Sequence, residues 1–461
     1  MQAYGKDMQA TLTYPGHVRA ILTLGVPLIG GHLAQMAIGV TDTLMLGRYS
    51  VDALAAVTLG STYFFVLFIF GSGFAWAVMP MVASFAAEGD DTGLRRATRM
   101  GLWLSCVFAV VSLPLMIWSD PILQLMGQGE SVARDASVYL RIAGFGIFPA
   151  LLVMVLKSYL AALERTQVVL WITVLAALVN ALVNYALIFG NWGAPEMGIK
   201  GAAIASVVTQ VVSLLGTIVY ARLALPEHAL FQRLWRVDGQ MMWQVFRLGV
   251  PIGLTALSEV GLFAASAVMM GWLGTVPLAA HGIAVQLASV TFMVHLGLSN
   301  VATIRAGNAY GRNDPAHMQR GALTVTWMSL SFAMATIIVY VSLPEPLILF
   351  FMNDTDPQRV EILAIGVGLL AMAALFQLVD GAQAVALGLL RGVQDTSIPM
   401  VMAAFSYWVV GVPCSYLFGF TLGLEGIGVW LGLSLGLALA AVLLSVRFWM
   451  VILRGLRAAP A

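Results

Sequence analysis

Twelve runs of apolar residues, each long enough to cross a lipid bilayer, dominate this 461-residue chain. They lie near residues 21–46, 53–79, 100–119, 138–162, 168–190, 200–222, 244–272, 278–304, 322–344, 362–389, 398–420 and 426–450. A helix needs about 20 such residues to cross the hydrocarbon core. Lipid offers backbone N–H and C=O groups no partner, so each run is expected to close its own hydrogen bonds as a helix. The fold class that follows is an all-α polytopic membrane protein. Composition agrees: 60% of residues are hydrophobic and 10% charged, against the roughly 25% charged content of a soluble domain.

The charges that remain are informative. The net charge of +1 gives no sign of a nucleic-acid partner, and the two cysteines, Cys106 and Cys414, both fall in apolar segments. Neither a disulfide nor a metal cluster is expected. If the N-terminus is cytoplasmic, eighteen of the 23 Lys and Arg residues, Lys6 among them, fall on the cytoplasmic side. The positive-inside rule then places both termini in the cytoplasm. The first twenty residues lack the apolar core and cleavage site of a secretory signal, so the first span is expected to act as its own insertion signal.

The chain repeats itself. LGVP at 24–27 recurs at 248–251, Ala55-Ala56 matches Ala279-Ala280, and Asp90 matches Asp314, all at an offset of 224. GIKG at 198–201 answers GLEG at 423–426, and Gln167 answers Gln394. Each half holds six spans, an even number, so both insert the same way up. The expected plan is two parallel six-helix repeats, 1–225 and 226–461, around a central cavity, as in many transporters.

Only three acids sit well inside the spans: Asp42, Glu259 and Asp380. None has a basic residue within a helical turn. Burying an ionisable group costs about 2.5 to 3.5 kcal/mol on insertion scales. Such residues therefore face a bundle interior or a wet cavity, and three of them point to an ion or proton pathway. The repeat does not preserve them: Asp42 is matched by Ser266, Glu259 by Gln35 and Asp380 by Val153. The scaffold is duplicated and the chemistry is not.

Other residues carry two readings each. Asn180 and Asn184 share a face of the fifth span and suit either a cation or hydrogen bonding between helices. Pro27 and Pro251 hold equivalent places in spans one and seven, where a proline frees a carbonyl and serves as a kink or hinge. His32, His281 and His295 can shuttle protons or simply pack. Lys157 is expected to snorkel toward the cytoplasmic interface. The 24 Met and 22 Phe include residues suited to a cavity that repacks around varied ligands.

The most specific stretches are Q-x6-D-T at Gln35 to Thr43, the Glu259 segment followed by LAAHGIAVQ, NVATIRAGNAYG, and FQLVDGAQAVALGLLRGVQDT at 376–396. With these the chain, over nearly its whole length, resembles the multidrug and toxic compound extrusion (MATE) transporters, the bacterial NorM-type branch in particular. The resemblance implies export of small-molecule drugs and toxic organic cations, in exchange for Na⁺ or H⁺, by a multi-pass protein of the bacterial inner membrane acting as a monomer without other cofactors. It also implies that Glu259 and Asp380 form a cation site, with Na⁺ as a candidate occupant, and that Asp42 acts near Asn180 and Asn184. Two departures stand out. Several sodium-binding members have a tyrosine where this chain has Phe376, and proton-coupled archaeal members have an aspartate where it has Asn184.

Other classes fare worse. None of the three lysines, Lys6, Lys157 and Lys200, sits in a phosphate loop, which excludes an ATP-driven pump built on this chain alone. GLSLG at 432–436 matches the hydrolase pattern G-x-S-x-G around Ser434, but it lies in an apolar helix and reads equally as a small-residue packing face. A flippase for a lipid-linked or amphipathic metabolite is the alternative on the same scaffold. It would be expected to carry buried cations for a pyrophosphate, whereas the buried charges here are acidic.

Overall fold

The computed structural model describes residues 12–353 and 357–458, so Lys6 and the first part of the N-terminal stretch lie outside the described residues. Twelve helices among those described are long and apolar enough to cross a membrane. They are α1 (Tyr14–Tyr49), α2 (Val51–Glu88), α3 (Asp91–Ile117), α4 (Glu130–Ala162), α5 (Thr166–Phe189), α6 (Ile199–Ala224), α7 (Gly239–Leu273), α8 (Thr275–Gly311), α9 (Pro315–Ser342), α10 (Arg359–Gly392), α11 (Ser397–Thr421) and α12 (Glu425–Ala458). Most overrun their apolar segments, because a helix continues to satisfy its own backbone beyond the hydrocarbon edge.

Local chemistry sets where they start and bend. The Asp90 carboxylate accepts from the Gly93 N–H at 2.9 Å and caps α3. Its repeat partner Asp314 does the same for α9, through the His317 N–H at 2.9 Å. The residue before each cap is left-handed, Gly89 at φ 77° and Asn313 at φ 55°. In α4 a tighter turn at Gly144–Gly146 precedes Pro149, whose missing N–H leaves the carbonyl four residues back without its helical partner. In α11 the π-helical turn Phe405–Gly411 precedes Pro413 for the same reason.

The chain folds into two compact units. One is Gly30–Leu254; the other consists of the described parts of Met1–Ile29 and Thr255–Ala461. These differ from the linear halves 1–225 and 226–461, because α1 and α7 each begin in one unit and end in the other. The connection before α7 is fastened to α3. Arg99 donates to the Leu230 and Ala229 carbonyls at 2.7 Å, Trp103 Nε1 to the Leu234 carbonyl at 2.7 Å, and Arg96 Nε pairs with Asp238 Oδ2 at 2.5 Å. Glycines then let the start of α7 lie against α2. A Cβ on Gly73 would collide with the Gly249 carbonyl and stand 2.8 Å from the Gly253 Cα.

The other unit repeats this contact. Gly297 of α8, which is 224 residues after Gly73, leaves room for Ile29 of α1, whose backbone N would be 3.2 Å from an added Cβ. The first turns of α1 are also held by polar contacts. Buried Arg305 of α8 reaches His17 Nδ1 at 2.9 Å and His317 Nε2 at 3.1 Å. A guanidinium only donates, so both rings present an acceptor and both are neutral.

Small residues likewise join α12 to α11. A Cβ on Gly436 would lie 2.8 Å from the Gly411 Cα, and Gly432 is pressed against Ser415. Ser434 Oγ donates to the Trp430 carbonyl at 2.8 Å within its own helix. GLSLG is therefore a packing face and not a nucleophile elbow. Cys106 and Cys414 are free thiols.

Overpacking a close contact costs about 1 to 3 kcal/mol. Gly73→Ala should thus lower the thermal midpoint of the purified protein in detergent, whereas Gly31→Ala, whose Cβ meets open space, should leave it unchanged or raise it. Equal midpoints would disprove the tight α2–α7 contact.

Candidate functional site

Each unit holds one acidic cluster. In Gly30–Leu254, Asn180 and Asn184 sit one turn apart on α5 and both are fully buried. Asn184 Nδ2 divides its two hydrogens, donating to Asp42 Oδ1 at 2.5 Å and to Asn180 Oδ1 at 3.1 Å. Asn184 Oδ1 remains buried without a partner, and Asn180 also acts on the Asp42 carboxylate through its amide. Asp42, on α1, is only half-buried, so its carboxylate is backed by the amides on one side and open on the other. Its charge also acts on the Tyr139 hydroxyl of α4, which hydrogen-bonds Ser206 of α6. Sequence reasoning missed Tyr139, since a lone tyrosine in an apolar run carries no signal. Gln35 is exposed on α1 and shares no hydrogen bond with Asp42, Asn180 or Asn184.

Lys157 departs from its expected place. It does not snorkel: its Nζ donates to Thr173 Oγ1, two turns into α5, at 2.8 Å, and its charge acts on His32.

In the other unit, Glu259 of α7 is half-buried and Asp380 of α10 is 2% exposed. The Glu259 charge acts on Asp380, so this cluster holds two carboxyls within electrostatic reach of each other. Three further residues belong to it. The Arg391 guanidinium, three turns along α10 from Asp380, acts on Glu259, a counter-charge that a search within one helical turn does not find. Tyr407, fully buried in the π-helical turn of α11, feels both carboxyls. Gln383 Nε2 donates to the Tyr407 hydroxyl at 2.5 Å.

Phe376 packs edge-on against Phe263 and Trp430, with ring centroids 5.8 and 5.6 Å away, and contributes no oxygen. The histidines of this unit have structural partners. His281 accepts from Trp430 Nε1 at 3.1 Å and faces Ser266 Oγ at 3.4 Å, and His295 Nδ1 lies 2.8 Å from Ser329 Oγ.

The donor set suits a monovalent cation. It offers two carboxyls, with the Arg391 guanidinium acting on Glu259, and Asp380 Oδ1 is buried without a partner. Carboxylate and amide oxygens are the ligands of hard cations. A Na⁺ would be held there by Glu259 and Asp380, and a proton would be shared between them. Neither cluster contains a nucleophile activated by a base.

The MatE family model matches residues 27–186 and 251–417 of the chain, which takes in Asp42, Asn180, Asn184, Glu259, Asp380 and Tyr407. A protein of Rhizobium meliloti named "Probable multidrug resistance protein NorM" is 45% identical over 98% of this chain and 97% of its own. Its namesake in Agrobacterium fabrum is 43% identical over 96% of both. Among solved structures, an outward-facing multidrug resistance MATE family transporter of the MOP superfamily shares the fold with a TM-score of 0.86 at 20% identity, covering 96% of this chain and 97% of that one. A eukaryotic MATE transporter does so with a TM-score of 0.83 at 18% identity, covering 96% and 99%. With both halves matched by the family model and relatives aligned almost end to end, the chain belongs to the MatE family, whose members are transporters and not enzymes.

Proposed function

We propose that this protein is a secondary multidrug antiporter of the bacterial inner membrane, exporting amphipathic, mostly cationic compounds in exchange for Na⁺ or H⁺. The observation that carries this reading is a buried acidic cluster in each of two compact units of a twelve-helix membrane protein. Acids at such depth attract cations and can exchange one for another. The names of the relatives support multidrug cargo, and the positive-inside count supports cytoplasmic termini. A monomer is the functional unit of this reading.

Alternating access fits the connectivity. The chain changes unit at Ile29/Gly30 and at Leu254/Thr255, in each case within a helical turn of Pro27 or Pro251. A helix whose two parts belong to different bodies must bend when those bodies move, and a proline lowers the cost of bending by having one fewer hydrogen bond to break. One charge moving down 100 mV yields about 2.3 kcal/mol, and a tenfold ion gradient about 1.4 kcal/mol. Either suffices for a modest drug gradient, provided that ion and drug favour opposite states. A flippase for a pyrophosphate-linked lipid is disfavoured, because Asp42 is the charged member of the first cluster, Glu259 and Asp380 outnumber Arg391 in the second, and Lys157 is already bonded to Thr173.

The deciding measurement is dye efflux from proteoliposomes under Na⁺ and pH gradients imposed separately. One of them should drive efflux, and uptake of dye under neither gradient would refute antiport. Asp42→Asn should abolish drug resistance at normal membrane expression, because an amide keeps the size but not the exchangeable charge; full resistance would reduce Asp42 to a structural residue. Glu259→Gln and Asp380→Asn should each cripple efflux, and the double variant should be little worse than either, since residues acting as one unit are non-additive. Losses that simply multiply would separate the two acids.

A further inference from the structure

The connection between α6 and α7 is fastened across the start of α3, and the arginines gathered there fall into two groups. One group is spent on the protein itself. Arg96 pairs with Asp238, Arg99 donates to the Ala229 and Leu230 carbonyls, and Arg222 lies over the Phe231 ring, 5.3 Å from its centroid. The other group is Arg95, Arg233 and Arg236, whose guanidiniums have no hydrogen bond or ion pair among the described residues.

The fold holds these spare charges near one another, all within the unit Gly30–Leu254. Arg95 stands one turn before Arg99 on α3. Arg233 follows closely on Leu230, whose carbonyl Arg99 holds at 2.7 Å. The charges of Arg95 and Arg233 both act on Arg99. The Arg236 N–H closes a turn on the Arg233 carbonyl at 3.1 Å, so Arg236 leaves the same turn. Arg233 has a left-handed backbone, φ 53°, where glycine is the usual residue. Acids close by are engaged elsewhere. Asp238 is taken by Arg96 and by the Met241 N–H, Asp90 caps α3, Asp91 faces His228 Nε2 at 3.9 Å, and Glu227 acts with Asp91 on Tyr159.

An anion is the missing partner, and the surroundings say of what kind. Trp235, in the same turn as Arg233 and Arg236, is 77% exposed, and Trp243 near the start of α7 is 63% exposed. Tryptophan collects at the headgroup layer of a bilayer, and this connection joins two helices long and apolar enough to span one. A guanidinium grips phosphate through two N–H groups at once. A zwitterionic lipid brings a cation of its own to its phosphate, whereas an acidic lipid brings none and so balances arginines that lack a counter-charge.

We propose that the connection before α7 and the start of α3 form a binding site for the headgroup of an anionic phospholipid, held by Arg95, Arg233 and Arg236 with Trp235 in the interfacial layer beside it. The site goes beyond the transport function and stands independently of it. Occupancy by lipid would anchor to the membrane surface the segment that leads into α7.

The test is binding of phosphatidylglycerol to the purified full-length protein in detergent, with phosphatidylcholine as reference, read by native mass spectrometry. Wild type should bind phosphatidylglycerol about tenfold or more tightly than phosphatidylcholine. Arg95→Gln, Arg233→Gln and Arg236→Gln should each weaken phosphatidylglycerol about fivefold, as loss of one arginine at a membrane surface does, and leave phosphatidylcholine unchanged. Arg233→Lys should recover most of the loss. Arg134→Gln removes the same charge from an arginine already paired with Glu130 and should change neither lipid. Quenching of tryptophan fluorescence by brominated lipids gives a second reading: Trp235→Phe should remove more of the quenching by brominated phosphatidylglycerol than by brominated phosphatidylcholine. Equal affinity of wild type for the two lipids, unchanged phosphatidylglycerol affinity in the three Gln variants, or an equal loss in Arg134→Gln would overturn the site. Displacement of the lipid by an equal concentration of inorganic phosphate would make this a soluble-anion site and overturn the lipid as its occupant.

Discussion

Water is absent from the hydrocarbon core of a bilayer, and every polar group placed there must find its partner within the protein. Backbone groups meet this demand by forming helices, twelve of them here. Side chains meet it by clustering, and the clusters form only where helices approach closely. Glycine makes that approach possible at Gly73, Gly297, Gly432 and Gly436, where a Cβ would strike the opposing helix. Packing in this molecule is therefore the condition for its chemistry: Asp42 meets Asn184, and Gln383 meets Tyr407, because the surrounding helices sit near enough to bring them together.

Duplication supplied the scaffold and divergence the chemistry. The retained pairs do mechanical work: Asp90 and Asp314 cap helices, Gly73 and Gly297 receive a neighbouring helix, and Pro27 and Pro251 stand where the chain changes unit. The partner of Asp42 has lost its charge. Ser266 is fully buried and returns its hydroxyl to the Phe263 carbonyl at 2.7 Å, so no carboxylate remains there to attract a cation. The two acidic clusters are accordingly unlike. One sets a carboxylate against amide N–H groups; the other gathers oxygens around a carboxylate pair and a guanidinium. Under the proposed function, two sites of different chemistry would let ion and drug be recognised separately and linked through conformation.

Much of this was legible in the sequence. Helix number and type follow from apolar runs, whose length is dictated by bilayer thickness. The three acids stood out because an ionisable residue in such a run has few explanations, and Asn180 and Asn184 because their spacing puts them on one helix face. Residues whose meaning depends on a distant partner did not stand out. Tyr407 looks like any interfacial tyrosine until Gln383 is found on its hydroxyl, Arg391 reads as a helix-end charge until its field reaches Glu259, and Lys157 reads as a snorkelling residue until Thr173 receives its Nζ.

The sequence by itself determined an all-helical, twelve-span membrane protein made of two related halves, because hydrophobic length and repeat spacing are properties of the chain alone. Tertiary structure decided where the units divide, since the connection before α7 is tied to α3 and the first turns of α1 to Arg305, contacts between residues more than a hundred positions apart. It also decided which polar atoms are left without partners around Asp380. Hydrogen-bond satisfaction is a matter of three-dimensional proximity, and no spacing along the chain encodes it.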